Sequence, residues 1–372
     1  MGCKNFKLWF LVILIQFILP DSSSVYSQEL KAEIRFVDYP FMPAYDLKRM
    51  KHPEMFQGSR RDENYFEGWY FKMISGLDSS KLSVIPGISI SSDGSQRHAF
   101  IQFIDGNSTE TWYFRFPIEE FYYSTQEFAV RIGKNYFSSD LMKLDLDQAG
   151  VRIKGAVNMQ DQSRWPSPGP LNPGIMGWYR FVPFMQCYHG VVSMDHALTG
   201  SILLGNREYV FDKGRGYIEK DWGSSMPSSW IWMQSNHFET PGVSFMLSVA
   251  DIPWLGRSFT GFLGFFLWKG EVYNFATYTG AKLMIDMTSS DKLQIRIKDR
   301  EREYRIEADR DGAGVLMAPL NGSMDRRISE SINARLRLTV CDLSGNIQFT
   351  GGSSITGLEM VGDLKDLAKN LK

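Results

Sequence analysis

Apolar and polar positions alternate in short runs along most of the chain, with turn residues between the runs. From Glu63 onward, NYFEGWYFKMI, HAFIQFIDG, TWYFRFPIEEF and VRIKGAV read as strands, punctuated by SDGS, DGNST and DQAG. The pattern breaks at SRWPSPGPLNPG, where four prolines and two glycines fall between Ser163 and Gly174, a composition that suits a linker or a long loop. It resumes in WIWMQSNHF, VSFMLSVADI, FTGFLGFFLW, KLMIDM and KLQIRIKDREREYRIEADR. In the last of these Leu293, Ile295 and Ile297 alternate, as do Tyr304 and Ile306, which predicts a hairpin with one wet face. Only the tail reads as helix: GDLKDLAKNLK sets Leu364, Leu367, Ala368 and Leu371 on one helical face behind Gly362 and Asp363. The class is all-β, two antiparallel barrel-like or sandwich-like halves with a short C-terminal helix.

One stretch is chemically dense. In GYIEKDWGSSMPSSWIWMQSNHF (Gly216–Phe238), the two-residue period puts Tyr217, Glu219 and Asp221 on one face and Ile218, Lys220 and Trp222 on the other. After a Gly-Ser-Ser-Met-Pro turn, Trp230, Trp232, Gln234 and Asn236 share a face, opposite Ile231, Met233, Ser235 and His237. Turned inward, that face makes indole walls with amide groups, suited to an apolar ligand with a polar head. An ordinary packed core is the plainer reading of the same residues.

Composition narrows the picture. A chain of 372 residues with 43% hydrophobic content supports a substantial core, and 14% aromatics with 33 glycines and 15 prolines favour strands and turns. With 41 basic and 42 acidic residues there is no field to gather nucleic acid, and Arg60-Arg61 and Arg326-Arg327 are too short to supply one. At the amino terminus, Lys4 and Lys7 precede an apolar run, Leu8 to Leu19, and a small-residue pattern ending at Ser27. This predicts a signal peptide, residues 1–27, with export after cleavage near Ser27; an uncleaved anchor is the alternative. The expected organisation is then a lead-in over 28–62, a β-domain over 63–175 and a second over 176–372. Cys187 and Cys341 remain, and an oxidising compartment permits a bridge that their separation alone does not imply.

In MGWYRFVPFMQCYHGVVSMDHALTGS, the side chains of Cys187, His189, Asp195 and His196 invite a metal reading, but soft and hard ligands are mixed without a familiar spacing. Glu219 and Asp221 on one strand face beside aromatic residues also fit a β-sandwich glycosidase. That reading lacks a third carboxylate downstream, since Gly223, Ser224 and Ser225 follow.

FEGWYFK at Phe66–Lys72, MGWYRFVPFMQCYHGVVSMDHALTGS at Met176–Ser201 and the Gly216–Phe238 stretch together resemble the tocopherol cyclase family. IPGIS, RFPIEEF and SVADIPWLGRSFTGFLG resemble its bacterial branch in particular, and the likeness runs from about Glu63 to about Leu283. It implies two lipocalin-like β-domains facing each other, similar to carotenoid hydratases. It also implies closure of a prenylated hydroquinone phenol onto its side-chain alkene to give a chromanol, with no redox cofactor and no metal. The partner expected is a prenylated quinol or other isoprenoid, with peripheral membrane contact and no nucleic acid.

Such a reaction protonates a trisubstituted alkene, so it needs a carboxylic acid kept neutral by a dry site and π-faces to steady the cation. Asp221 beside Trp222 is the expected acid, with Glu219 as its alternate. Trp230 and Trp232 supply π-faces, Gln234 and Asn236 bind quinol hydroxyls, and His189 or Glu67 accepts the phenol proton. Trp69, Tyr217 and Trp222 complete the expected binding walls. A non-catalytic isoprenoid carrier would use the same walls.

Overall fold

The computed structural model describes residues 32–372 except 79, 149, 167–168, 170–172, 183–184, 255, 288, 290, 370 and 372. The expected leader lies outside the described residues. Among those described, no helix is long and apolar enough to cross a membrane, which leaves strands untested.

The all-β expectation holds: among the described residues, strands form two antiparallel sheets, of 13 and 10 strands, in a lipocalin-like arrangement. Each sheet curls around its own core. In the first, Phe71 of strand Tyr65–Ile74 packs on Phe137 at 5.9 Å, although four strands lie between them in sheet order. In the second, Phe275 meets Tyr304 at 4.7 Å across five intervening strands. Curling lets alternating positions do double duty. Trp69, Phe71 and Met73 fill the first core, while Tyr70 and Ile74 face outward into a third cluster where the two sheets meet. The partners there are Trp230, Trp232 and Met246 of the second sheet, whose Ile231, Met233 and Leu247 fill its own core. Each such large side chain taken from water contributes about 1.5–3 kcal/mol.

Two organisational expectations need correcting. The Pro-rich segment is not where the sheets change: Cys187–Leu204 and Gly214–Gly223, both beyond 175/176, still belong to the first sheet. Ser163, at the start of that segment, is stitched to the Cys187–Leu204 strand by Ser163 N to Asp195 O and Met194 N to Ser163 O, both 2.8 Å. The passage between sheets lies between Gly223 and Trp230. There Gly223 has φ +153°, and a Cβ would lie 2.0 Å from the Gln186 carbonyl oxygen, so the sharp exit requires glycine.

The tail is also not the only helix. Pro43–Lys51 is helical, with Pro near its start, Asp46 in the first turn and Lys48, Arg49 and Lys51 in the last. It presents little apolar periodicity, burying only Tyr45, whose hydroxyl donates to the Phe56 carbonyl at 2.7 Å. The C-terminal helix, Leu364–Lys369, forms as its pattern indicates, with Leu364 and Leu367 buried and Asp363 Oδ1 accepting from the Lys365 and Asp366 amides. The Lys292–Lys298 and Arg302–Asp309 hairpin likewise has one wet face. Cys187 and Cys341 are both free thiols, so the bridge the sequence left open is not made.

Candidate active site

A cavity with about 1470 Å³ of atom-free space, partly open to solvent, lies where the two sheets meet. Its apolar walls include Phe66, Tyr70 and Phe100 from the first sheet and Trp230, Trp232 and Phe262 from the second. Trp232 fits closely because Gly357, next to it, has no side chain: a Cβ there would come 2.6 Å from the indole.

Strand pairing decides which polar groups reach this space. On Gly214–Gly223, Glu219 pairs with Tyr70 and Asp221 with Gly68 on one side, and His189 pairs with Asp221 on the other. Paired residues share a face, so Glu219, Asp221 and His189 all line the cavity. The second sheet answers with its own row, in which Trp232 pairs with Glu359 and Glu359 with Glu330. These two acids also line the cavity.

The carboxyls differ in setting. Glu219 is nearly enclosed, its side chain 6% exposed, and it accepts hydrogen bonds from Tyr217 at 2.7 Å and the Trp232 indole at 3.2 Å. Burial pushes it up to about 7 against the opposing pull of His189. Glu330 accepts from the Tyr70 hydroxyl at 2.6 Å, and burial pushes it up to about 8. Glu359 accepts from Trp230 Nε1 at 2.5 Å; burial and then Glu330 directly opposite raise it well above the usual carboxylate range. Asp221 is different. Its side chain is 29% exposed, and its Oδ1 lies 2.8 Å from His189 Nδ1. Burial works against charge on His189, yet Asp221 and Glu219 outweigh it and hold the imidazolium up to about 9. Among the described residues His189 Nε2 is buried without a hydrogen-bond partner, 3.5 Å from Glu219 Oε2.

Of the residues expected from sequence, Asp221, Glu219, His189, Trp230 and Trp232 come together on this cavity. Tyr217 stands behind it, bonded to Glu219. Glu67, Trp69 and Trp222 do not join them. Their partners across the ladder are Trp222 with Glu67 and Lys220 with Trp69, so all face the first sheet's core, where Glu67 and Lys220 form a wholly buried ion pair at 2.6 Å. Glu67 is further held by Tyr65 and the Gln57 amide, which leaves it no access to a ligand. Gln234 and Asn236 keep the predicted face but lie past the cavity. Asn236 Nδ2 donates to Asp195 Oδ1 and the Gly216 carbonyl, both 2.9 Å, and both amide atoms of Gln234 are buried unpartnered.

Glu330 and Glu359 escaped the sequence reading, although Glu330 carried a signal. Ile328, Glu330 and Ile332 occupy one face of a strand, an acid set between two isoleucines that both face the sheet junction. Among the metal-reading residues, Asp195 is held by Arg215 and His196 Nδ1 by Ser193 at 2.9 Å, away from Cys187 and His189. The ligand atoms of His189, Glu219 and Asp221 lie within 4.8 Å of one another. The ring turns Nδ1 to Asp221 at 2.8 Å and Nε2 toward Glu219 at 3.5 Å, so each nitrogen faces a different carboxylate.

Fold and site together define a two-sheet, lipocalin-like β-protein with an aromatic, acid-lined cavity between the sheets. A profile of the family described as tocopherol cyclase-like matches residues 141–362, more than half the chain, and the chain belongs to that family. The match begins well after FEGWYFK and continues through the strands beyond Leu283, where the sequence alone showed only compatible pattern. The probable chloroplastic tocopherol cyclase of Oryza sativa subsp. japonica is 27% identical over 170 residues, 42% of this chain and 36% of that protein. The chloroplastic tocopherol cyclase of Zea mays is 27% identical over 111 residues, 28% of this chain and 23% of that one. The alignments thus span about a third or less of these plant proteins. The crystal structure of CghA, 10% identical, superposes with TM-score 0.50 over 80% of this chain and 89% of its own, a likeness of fold.

Proposed function

We propose that this chain is an acid–base catalyst of ring closure, joining the phenol oxygen of a prenylated hydroquinone to its side-chain alkene to give a chromanol. The observation that carries this reading is the set of buried carboxyls, Glu219, Glu330 and Glu359, whose proton affinities burial raises to neutral pH or above inside an aromatic cavity. A carrier has no need of groups that are this costly to bury.

In the sequence of events, Glu330 gives its proton to the less substituted alkene carbon, leaving a tertiary cation. Trp230, Trp232 and Tyr70 present π-faces to that charge. The phenol oxygen attacks the cation, forming the C–O bond, and its proton passes to ionised Glu219. One proton enters and one leaves, so product and substrate are isomers. His189 Nε2, unpartnered and charged, donates to a polar head-group oxygen, and Asp221 orients the ring through Nδ1. Asp221 is therefore His189's anchor here and Glu330 the donor, because the donor must be dry and Asp221 is partly exposed. The prenyl tail occupies the apolar wall, each buried methylene contributing about 0.8 kcal/mol.

The test is incubation of purified protein with prenylated hydroquinones, with ring closure followed by NMR and retained ligand by mass spectrometry. Chromanol formation that Glu330→Gln abolishes supports the reading. Tight binding of unchanged quinol, unaffected by Glu330→Gln, would establish a carrier instead.

A further inference from the structure

The acid–base reading requires one carboxyl in a dry cavity to keep its proton while another has lost it. Burial alone keeps both neutral, so something must favour a single negative charge. His189 pulls Glu219 toward its charged form, but Asp221, 2.8 Å away on the same ring, already matches that charge and opposes a second anion beside it. Asp195 is likewise matched by Arg215, Nε to Oδ1 at 3.0 Å.

Lys72 is different. It has no exposed surface, and it lies two residues from Tyr70 on the face of Tyr65–Ile74 that meets the second sheet. Its Nζ donates to the Gln234 carbonyl at 3.3 Å, and among the described residues no carboxylate lies within ion-pair distance of it. Lys220, also fully buried, has Glu67 at 2.6 Å. The charged and titratable groups around Lys72 come from several elements: Glu330 on Ser323–Asp342, Glu219 on Gly214–Gly223, Asp195 on Cys187–Leu204, and His237 just past Trp230–Ser235. Tyr70, on its own strand, bonds Glu330.

We propose that Lys72 is the counter-charge that lets one member of the Glu219–Glu330 pair ionise inside the cavity while the other stays protonated, making it a positioning residue for acid–base chemistry. Its inferred job needs a cation that is not locked to one carboxylate, and its lone carbonyl contact provides that. Burial lowers its own proton affinity to about 7, with Glu330 and Glu219 opposing, so its charge is sensitive to theirs. With Lys72 and His189 positive, two negative charges balance the cluster: Asp221 and one glutamate. Without Lys72 the balance falls to one, and both glutamates hold their protons.

This rests on the acid–base reading of the cavity, but its test needs no substrate, so the two fail separately. Infrared difference spectra of the protonated carboxyl band are recorded against pH for the full chain and for Lys72→Met, with Glu219→Gln and Glu330→Gln to assign the band. Lys72→Met should show one more protonated carboxyl at neutral pH, its loss displaced upward by about one pH unit or more, a tenfold change in proton affinity. Reciprocally, the Lys72 amine, followed by NMR, should lose its proton at lower pH in Glu330→Gln than in the parent. Unchanged carboxyl titration in folded Lys72→Met would overturn the proposal. Should that variant not fold, an unmoved Lys72 titration in both glutamine variants would overturn it.

Discussion

One strand, Gly214–Gly223, carries two kinds of buried charge on its opposite faces. Toward the first core, Lys220 meets Glu67 at 2.6 Å, and the pair is closed off by Tyr65, the Gln57 amide and the Pro53 and Met55 carbonyls. Toward the sheet junction, Glu219 faces Tyr70, Glu330 and Lys72, and its ion-pair contact, His189 at 3.5 Å, is too long for a hydrogen bond. Burial is similar on the two sides, but satisfaction is not. A saturated pair has no hydrogen-bonding capacity left to offer a ligand, even though burial lowers Lys220 to about 8. An under-matched cluster keeps proton affinities near neutrality, the condition for moving a proton during a reaction.

The comparison breaks first on stability. Glu67→Ala strands Lys220 in the core and should cost about 3–5 kcal/mol, read by urea unfolding, whereas Glu330→Gln should cost far less because the amide oxygen still accepts from Tyr70. Equal losses from the two would erase the distinction. Activity should invert the order: Glu330→Gln is expected to lower turnover about 100-fold or more with ligand affinity nearly intact. Asp221→Asn should cost less, about tenfold, because it frees His189 and leaves both dry acids in place.

Acidity sharpens the contrast further. Glu330 binds its proton more tightly folded than unfolded, so its stabilising contribution is full below the unfolded value near 4.5 and is lost as pH rises toward about 8. Unfolding free energies of parent and Glu330→Gln, compared from pH 5 to pH 8, should therefore shift steadily in favour of the variant. A difference that stays flat would mean the carboxyl is not held neutral. The smallest effect is expected at Trp230→Phe, which removes the donor to Glu359 and shrinks a π-face; turnover should fall about tenfold or less.

How far the site could be read from sequence varied residue by residue. Alternation correctly placed Trp230 and Trp232 on one face and Glu219 with Asp221 on another, because parity along a strand is a local property. The same rule already set Trp222 opposite Asp221, and the structure bears out that parity over the wall role that sequence gave Trp222. Glu67 misled for a different cause. Its motif is rich in aromatics, but which face of Tyr65–Ile74 meets the cavity depends on how the two sheets pack.

The sequence by itself determined the strands, the class, the family likeness and the parity of each side chain, since these follow from residue type and spacing. Only the tertiary structure decided that the cavity lies between the sheets, and that the acids of Ser323–Asp342 and Ile347–Val361 face those of Gly214–Gly223. Register and sheet packing bring together residues distant along the chain, and the resulting loss of water sets which carboxyl keeps its proton. Asp221 was the natural choice from its neighbours in sequence. Its exposure of 29% against 6% for Glu219, two residues away, comes from where the cavity opens, and that is a property of two sheets together.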